Sequence, residues 1–212
     1  MRTRAWAWAP ALAAALALAS GCGGSDSEDG GEATAPPRVP ERAEQVPDLP
    51  PGWTVSANRS QGFSLGAPPG WREGKDCLRG GAKPGTETVL CSPDRLVTLS
   101  ISADRTNEAL ELEPRAFALR TLEQLGETSY DGLNPRRLKP FKARYAGGTV
   151  SGTGRAAGTG VRQEVAVVVL RREGAANFTA VIAANADRPT EPAIKLAEKS
   201  LRTLRSEPPG AG

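Results

Sequence analysis

The chain has 212 residues with a formal net charge of +3, and only 5% of the residues are aromatic. It contains no histidine, which removes the most common general base and the Ser–His and Cys–His nucleophile pairs. Three cysteines without histidine also cannot build the usual four-ligand zinc site, so we expect no metal or other cofactor.

The first 22 residues combine a basic start, Arg2 and Arg4, with a short apolar stretch that ends in the sequence LASGC. The stretch is too short and too poor in large residues to favour a membrane span. The ending resembles the lipobox of bacterial lipoproteins, where a peptidase cuts before the cysteine, although Ala19 replaces the preferred Leu, Val or Ile. The resemblance implies that residues 1–21 are a signal peptide and that Cys22 carries a diacylglycerol. The alternative is an ordinary secretory signal that leaves a soluble protein.

The number of cysteines supports this interpretation. An exported protein with an odd number of thiols carries one without a partner. Lipidation of Cys22 leaves Cys77 and Cys91 as a pair, and export to an oxidising compartment favours a disulfide between them. The chain-entropy model assigns such a short loop about 3 kcal/mol of stabilisation. The alternative is two free, buried thiols.

Residues 22–52 form the predicted tether between the lipid and the folded domain. Positions 23–52 are mostly Gly, Ser, Pro and acidic residues, with seven acids against two bases. Such a segment cannot bury enough apolar surface to offset its ordering entropy, so we expect it to be disordered. The remaining chain is net basic, which favours an anionic surface such as phospholipid headgroups or an acidic wall polymer. The alternative is that the charge serves solubility alone, and we expect no nucleic-acid partner outside the cell.

The predicted domain, residues 53–206, begins with strands. Trp53 and Val55 indicate a short first strand, and residues 63–67 alternate apolar and small side chains until a Pro-Pro-Gly turn. Further strands are predicted at 88–90 and 97–103, the second with alternating apolar and hydroxyl side chains.

A helix is predicted from Glu113-Pro114, because proline is tolerated in a first helical turn. Its apolar stripe contains Ala118, Leu122 and Leu125, and Gly126 suits its C-cap. The turn-rich segment 130–140 predicts a loop. A strand is then expected through Phe141, Ala143 and Tyr145, continuing past Val150.

The C-terminal part predicts two inner strands and a helix. Residues 165–170 are an unbroken apolar run, which indicates a central strand covered on both faces. A hairpin turn at 173–174 leads into a second inner strand at 177–186. Thr190 is expected to cap a last helix, and residues 207–212 form a predicted disordered tail. The buried stripe of this helix is expected to contain Ile194, Ala197, Leu201 and Leu204.

This order of elements predicts an α+β fold, an antiparallel sheet with helices packed on it. A strand that ends in Pro69-Gly70-Trp71, a mid-chain helix, three strands and a final helix with Ser200-Leu201-Arg202 resemble the PsbP-type fold. Actinobacterial LpqN-type lipoproteins share that fold and a lipobox. The resemblance implies an αβα sandwich that binds or scaffolds partners, without a shared catalytic centre or any functional residue that can be transferred.

The densest basic run is the main candidate site. It could bind an anionic polymer or the acidic groups of a partner, and the alternative is a strand edge whose charges prevent aggregation. We call this run the basic strip, and its members are Arg136, Arg137, Lys139, Lys142 and Arg144.

Two other patterns give weaker candidates. Residues 152–158 match a dinucleotide fingerprint in part, but no strand runs directly into them and no helix follows, so a hairpin loop is expected. Asp76 and Asp94 flank the cysteine pair and would form a carboxylate site if the bridge brings them together. The alternative is two solvated acids in turns.

Taken together, these patterns predict a non-catalytic binding or scaffolding domain on the outer face of the cytoplasmic membrane, held there by its lipid. The expected partner is an envelope protein or an anionic wall polymer. One alternative is a carrier of a small ligand or lipid, with a cavity between sheet and helix. Another is a hydrolase that uses carboxylates alone.

Overall fold

The computed structural model describes residues 49–74, 77, 87–104, 110–172 and 176–206, without the side chain of Arg137. The predicted signal peptide, Cys22, most of the tether, Asp76, the hairpin turn at 173–174 and the C-terminal tail lie outside the described residues. The predictions made for them therefore stay predictions.

Two antiparallel sheets and two helices make up the described domain. The larger sheet has seven strands in the order β3-β4-β5-β9-β8-β7-β6, and the smaller has three in the order β1-β2-β10. The helices are α1 (Pro114–Thr128) and α2 (Glu191–Arg202). The strands are β1 (Thr54–Asn58), β2 (Phe63–Ala67), β3 (Arg72–Glu73), β4 (Thr88–Cys91), β5 (Val97–Asp104), β6 (Tyr130–Lys142), β7 (Ala146–Ala156), β8 (Arg162–Arg172), β9 (Ala176–Asn185) and β10 (Arg205–Ser206).

The two helices cover opposite faces of the larger sheet, because side chains alternate between the faces along each strand. On one face, Ala118 and Leu122 of α1 pack with Val165 and Val167 of β8. On the other, α2 packs with a cluster that includes Val168 of the same strand. This arrangement confirms the predicted α+β sandwich and the central strand covered on both sides.

The smaller sheet and α2 share the second core. All five residues of β2 are buried rather than one face alone. The Ser200 hydroxyl donates to the carbonyl of Gly66, whose N–H donates to the Thr203 hydroxyl at 2.7 Å. The predicted stripe of α2 is buried at Ala197 and Leu201, so the helix was placed correctly from its periodicity.

Two predicted caps are wrong in detail. The helix α1 continues to Thr128, and the N–H of Ser129 donates to the carbonyl of Leu125. A Cβ at Gly126 would lie 3.4 Å from the carbonyl oxygen of Leu133, in ordinary van der Waals contact, so this residue faces β6 rather than ending the helix. The Thr190 side chain makes no capping hydrogen bond to α2, although the residue stands at the N-cap.

The predicted loop at 130–140 is wrong, because these residues form most of β6. Pro135 and Pro140 look like strand breakers, but β6 is an edge strand, where a proline nitrogen can face the unpaired side. The strand expected through Tyr145 ends at Lys142, and the chain turns before β7. Four strands therefore follow α1 instead of three, and residues 152–156 belong to β7 rather than to a hairpin loop.

A candidate binding groove on the α2 face

A groove of about 430 Å³ runs between α2 and the outer strands of the larger sheet. It forms because α2 packs on β2, β5 and β9 and leaves β6 and β7 open on the same face. Strand β7 forms its floor, strand β6 one wall, and α2 with the end of β8 the other. We refer to it as the α2-face groove.

Three hydroxyl side chains form the floor of the α2-face groove. Thr149, Ser151 and Thr153 alternate along β7, so they share one face at intervals of roughly 7 Å. All three are half-buried. Among the described residues, none of the three hydroxyls has a hydrogen-bond partner, which leaves them available to water or a ligand.

The wall contributed by β6 is basic. Lys139 stands directly opposite Thr149 in the sheet, and Arg136 enters the groove at a register shift between Pro135 and Arg137. Both side chains are exposed, and within the described part of the chain neither forms an ion pair. Among the described residues, neither positive charge is therefore in ion-pair contact with a carboxylate, although acidic side chains line the far side of the same groove.

The basic strip is divided by the fold. Arg136 and Lys139 line the groove, whereas Lys142 and Arg144 are exposed at the β6–β7 hairpin and do not line it. The backbone of Arg137 pairs with Ser151, and its side chain lies outside the described atoms. The structure thus brings two of the five predicted residues to one cavity.

The opposite wall is acidic and partly apolar. Glu164 of β8 stands opposite Thr153, and Glu198 comes from α2. Glu198 forms a salt bridge with Arg202, with 3.6 Å between its Oε2 atom and the Nη2 atom of the arginine. The Arg202 guanidinium also lies 5.4 Å from the ring centroid of Phe141, in a cation–π contact. The apolar lining on this side of the groove comes from Ala166, Ile182, Ala184 and Ile194.

A second groove, of about 560 Å³, lies on the α1 face. Leu125 at the end of α1 and Val89, Val181 and Ala183 of the sheet give it an apolar lining. At its margin the Tyr130 hydroxyl donates to Oε1 of Gln163 at 2.9 Å, and burial raises the pKa of this phenol. We refer to it as the α1-face groove.

The cysteine pair lies beside the α1-face groove. The Cα atoms of Cys77 and Cys91 are 5.4 Å apart with the sulfurs at bonding distance, and both residues are buried. The predicted carboxylate pair of Asp76 and Asp94 stays a prediction, because Asp76 lies outside the described residues. The Asp94 side chain accepts hydrogen bonds from the Ser92 hydroxyl and the Leu96 N–H, which fixes the turn between β4 and β5.

The described residues contain no group of three or more His, Cys, Asp or Glu side chains arranged to hold a metal ion. Neither helix in this part of the chain is long and apolar enough to cross a membrane.

Neither the two acids nor the hydroxyl floor was predicted from the sequence. Glu164 and Glu198 are far from the basic strip in sequence, so no local pattern connects them. The hydroxyls did leave a signal, because Thr149, Ser151 and Thr153 recur at every second position. That alternation indicates a strand with one polar face.

Comparison with known proteins gives a fold but no family. No family model matches the chain, and no curated protein matches it. The Ran-binding protein Mog1p of Saccharomyces cerevisiae has a similar structure, with a TM-score of 0.50 and 12% identity over 73% of this chain and 95% of that chain.

Two bacterial structures are also similar at lower scores. LpqN, involved in cell envelope biogenesis of Mycobacterium tuberculosis, has a TM-score of 0.41 and 14% identity over 75% of this chain and 87% of its own. A protein of unknown function from Pseudomonas aeruginosa has a TM-score of 0.42 and 14% identity over 74% of this chain and 98% of its own. The likeness to Mog1p shows the α+β fold that the order of elements predicts.

Proposed function

We propose that this protein is a lipid-anchored domain outside the cell membrane that binds an anionic partner of the envelope through the α2-face groove. The observation that carries the proposal is the pair Arg136 and Lys139, which line one cavity and have no ion-pair partner among the described residues. An anion beside them gains charge-assisted hydrogen bonds without breaking an existing one.

Protection of the sheet edge explains only part of the basic strip. Pro135 and Pro140 already interrupt the donors of the edge strand, and the exposed Lys142 adds charge there. Lys139 instead stands on the α2 face, opposite Thr149. A positive charge that only prevents strand pairing would not have to line a cavity. The position of Lys139 in the groove therefore supports a binding role for its side chain.

The location rests on the sequence. The signal-like residues 1–21 and Cys22 support export and lipidation, and the acidic composition of 23–52 supports a spacer between membrane and domain. We place the domain on the outer face of the cytoplasmic membrane. The fold is compatible with a binding role, since Mog1p is itself a Ran-binding protein. The proposed partner here is an anionic wall polymer, with an acidic envelope protein as the other candidate.

The direct test uses the full-length protein in detergent micelles. We expect retention on immobilised polygalacturonate at low salt, release as ionic strength rises, and no retention on neutral dextran. Equal retention on both polymers, or none on either, would contradict the proposal.

The α1-face groove supports a second candidate, a carrier of a small apolar ligand. Its volume lies within the range of known ligand sites, and Val181 and Ala183 give it an apolar lining. Saturable binding of a fluorescent fatty acid that Ala183→Phe abolishes would favour this function. The two candidates are separable because their grooves lie on opposite faces of the sheet.

A further inference from the structure

We infer that the α2-face groove is built for an acidic saccharide chain rather than for polyanions in general. This inference rests on the proposed function and specifies its ligand. It follows from the groups that face Arg136 and Lys139 across the cavity, because those groups do not suit a purely anionic ligand.

The hydroxyl floor is the first argument. Thr149, Ser151 and Thr153 each offer one donor and two acceptor sites, and none has a partner among the described residues. They are spaced along the strand, so a ligand that uses all three has to be extended and carry repeated polar groups. A saccharide chain meets that requirement with its hydroxyl groups.

The acidic wall is the second argument. Glu164 and Glu198 line the same groove as the two basic side chains. Ionised carboxylates only accept hydrogen bonds, so they repel an anionic group and favour a hydroxyl donor. The ligand therefore has to place its negative group at β6 and its hydroxyl groups towards α2 and the end of β8.

The apolar lining is the third argument. Ala166 of β8, Ile182 of β9 and Ile194 of α2 line the groove beside the two acids and offer surface to C–H groups. A sugar ring combines C–H groups, hydroxyls and, in a uronic acid, a carboxylate within one unit. The groove volume lies within the range typical of ligand sites. An acidic peptide supplies the carboxylates but lacks the array of hydroxyl donors.

The test compares two polymers that differ in hydroxyl groups. Polygalacturonate carries carboxylates and hydroxyls, whereas poly-L-glutamate carries carboxylates and backbone amides but no hydroxyl group. At equal carboxylate concentration and fixed salt, we expect the full-length protein to bind polygalacturonate at least about tenfold more tightly, since each net hydrogen bond contributes roughly two- to tenfold in affinity.

The variant Thr149→Val, Ser151→Ala, Thr153→Val removes the hydroxyls and keeps the side chains close to their original volume. We expect it to lose the preference for polygalacturonate while its affinity for poly-L-glutamate stays within about twofold of wild type. The control is Ser102→Ala with Thr179→Val, a cross-strand pair on the α1 face that lines neither groove. This control should keep the wild-type preference for polygalacturonate over poly-L-glutamate.

Each outcome decides one claim. Equal affinity of the wild type for the two polymers, tighter binding of poly-L-glutamate, or an unchanged preference in the triple variant would overturn the saccharide inference and leave the anionic groove standing. Tighter binding of poly-L-glutamate would point to an acidic protein segment as the partner. Absence of binding to both polymers would instead overturn the proposed function itself.

Discussion

Removal of the two positive charges in the α2-face groove should weaken binding of an acidic polymer by a predictable amount. Arg136 and Lys139 are exposed, so each contact with a carboxylate resembles a surface ion pair. Such pairs contribute about 0.2–1 kcal/mol each. The double variant Arg136→Ala, Lys139→Ala should therefore lose about 0.4–2 kcal/mol, which corresponds to a two- to thirtyfold rise in Kd.

The control variant has to lose the same charge elsewhere. Arg59 and Arg72 are exposed, Arg59 between β1 and β2 and Arg72 in β3 at the opposite edge of the larger sheet. The variant Arg59→Ala, Arg72→Ala has the same net charge as the groove variant. It tests whether overall charge alone explains the binding.

Biolayer interferometry on biotinylated polygalacturonate measures both variants over a range of salt concentrations. We expect the groove variant to bind more weakly and with a shallower salt dependence, while the control stays near wild type. Equal losses in the two variants would refute the assignment of binding to this groove, because they would show a response to net charge. Thermal unfolding of each variant checks that the fold is intact.

Four further results are expected. Cys22→Ala should move the protein from the membrane fraction to the soluble fraction, and unchanged fractionation would refute the lipid anchor. Reduction should lower the free energy of unfolding by about 3 kcal/mol in wild type. The same treatment should leave a Cys77→Ala, Cys91→Ala variant unaffected, and equal responses would count against the disulfide. Gly148→Ala should cost about 1–3 kcal/mol of stability in chemical denaturation, because the new Cβ would lie 2.8 Å from a backbone atom of α1, and a neutral effect would contradict that close packing. Ultraviolet titration should show one phenol, absent in Tyr130→Phe, that ionises above the ordinary tyrosine pKa. Burial raises the pKa of Tyr130 in the folded state above its value in the unfolded chain. The contribution of this neutral phenol to the free energy of unfolding is therefore complete below the ordinary tyrosine pKa, and it is lost as the pH rises through the raised pKa.

Periodicity predicted the elements that bury a continuous apolar stripe. The helices α1 and α2 follow from the helical spacing of apolar residues such as Leu122 and Leu201, and the central strand β8 follows from the unbroken apolar run that contains Val167. These elements cover both faces of one sheet, so the fold class could be predicted without any relative.

Strand β6 could not be predicted in the same way. Its Gly132, Pro135 and Pro140 are turn residues by local chemistry, and only its position at the sheet edge makes them compatible with a strand. Whether a strand lies at an edge is decided by pairing between distant segments, which local patterns do not contain.

Only the basic half of the candidate site could be predicted, because the other half also depends on pairing between distant segments. A basic run is visible within ten residues of sequence, and the structure places Arg136 and Lys139 in the groove. The acids opposite them come from β8 and α2, and only the register of three strands and the position of a helix bring them together. The tertiary fold therefore places part of the basic run opposite acidic side chains from distant segments, and together they line one groove with a basic and an acidic wall.

Hydrogen–deuterium exchange of the full-length protein with and without saturating polygalacturonate tests the central claim most directly. We expect slower amide exchange in β6, β7 and α2, which form the α2-face groove, and little change in β4 and β5. Slower exchange confined to β4, β5 and the end of α1, or no change while polymer is bound, would contradict this expectation.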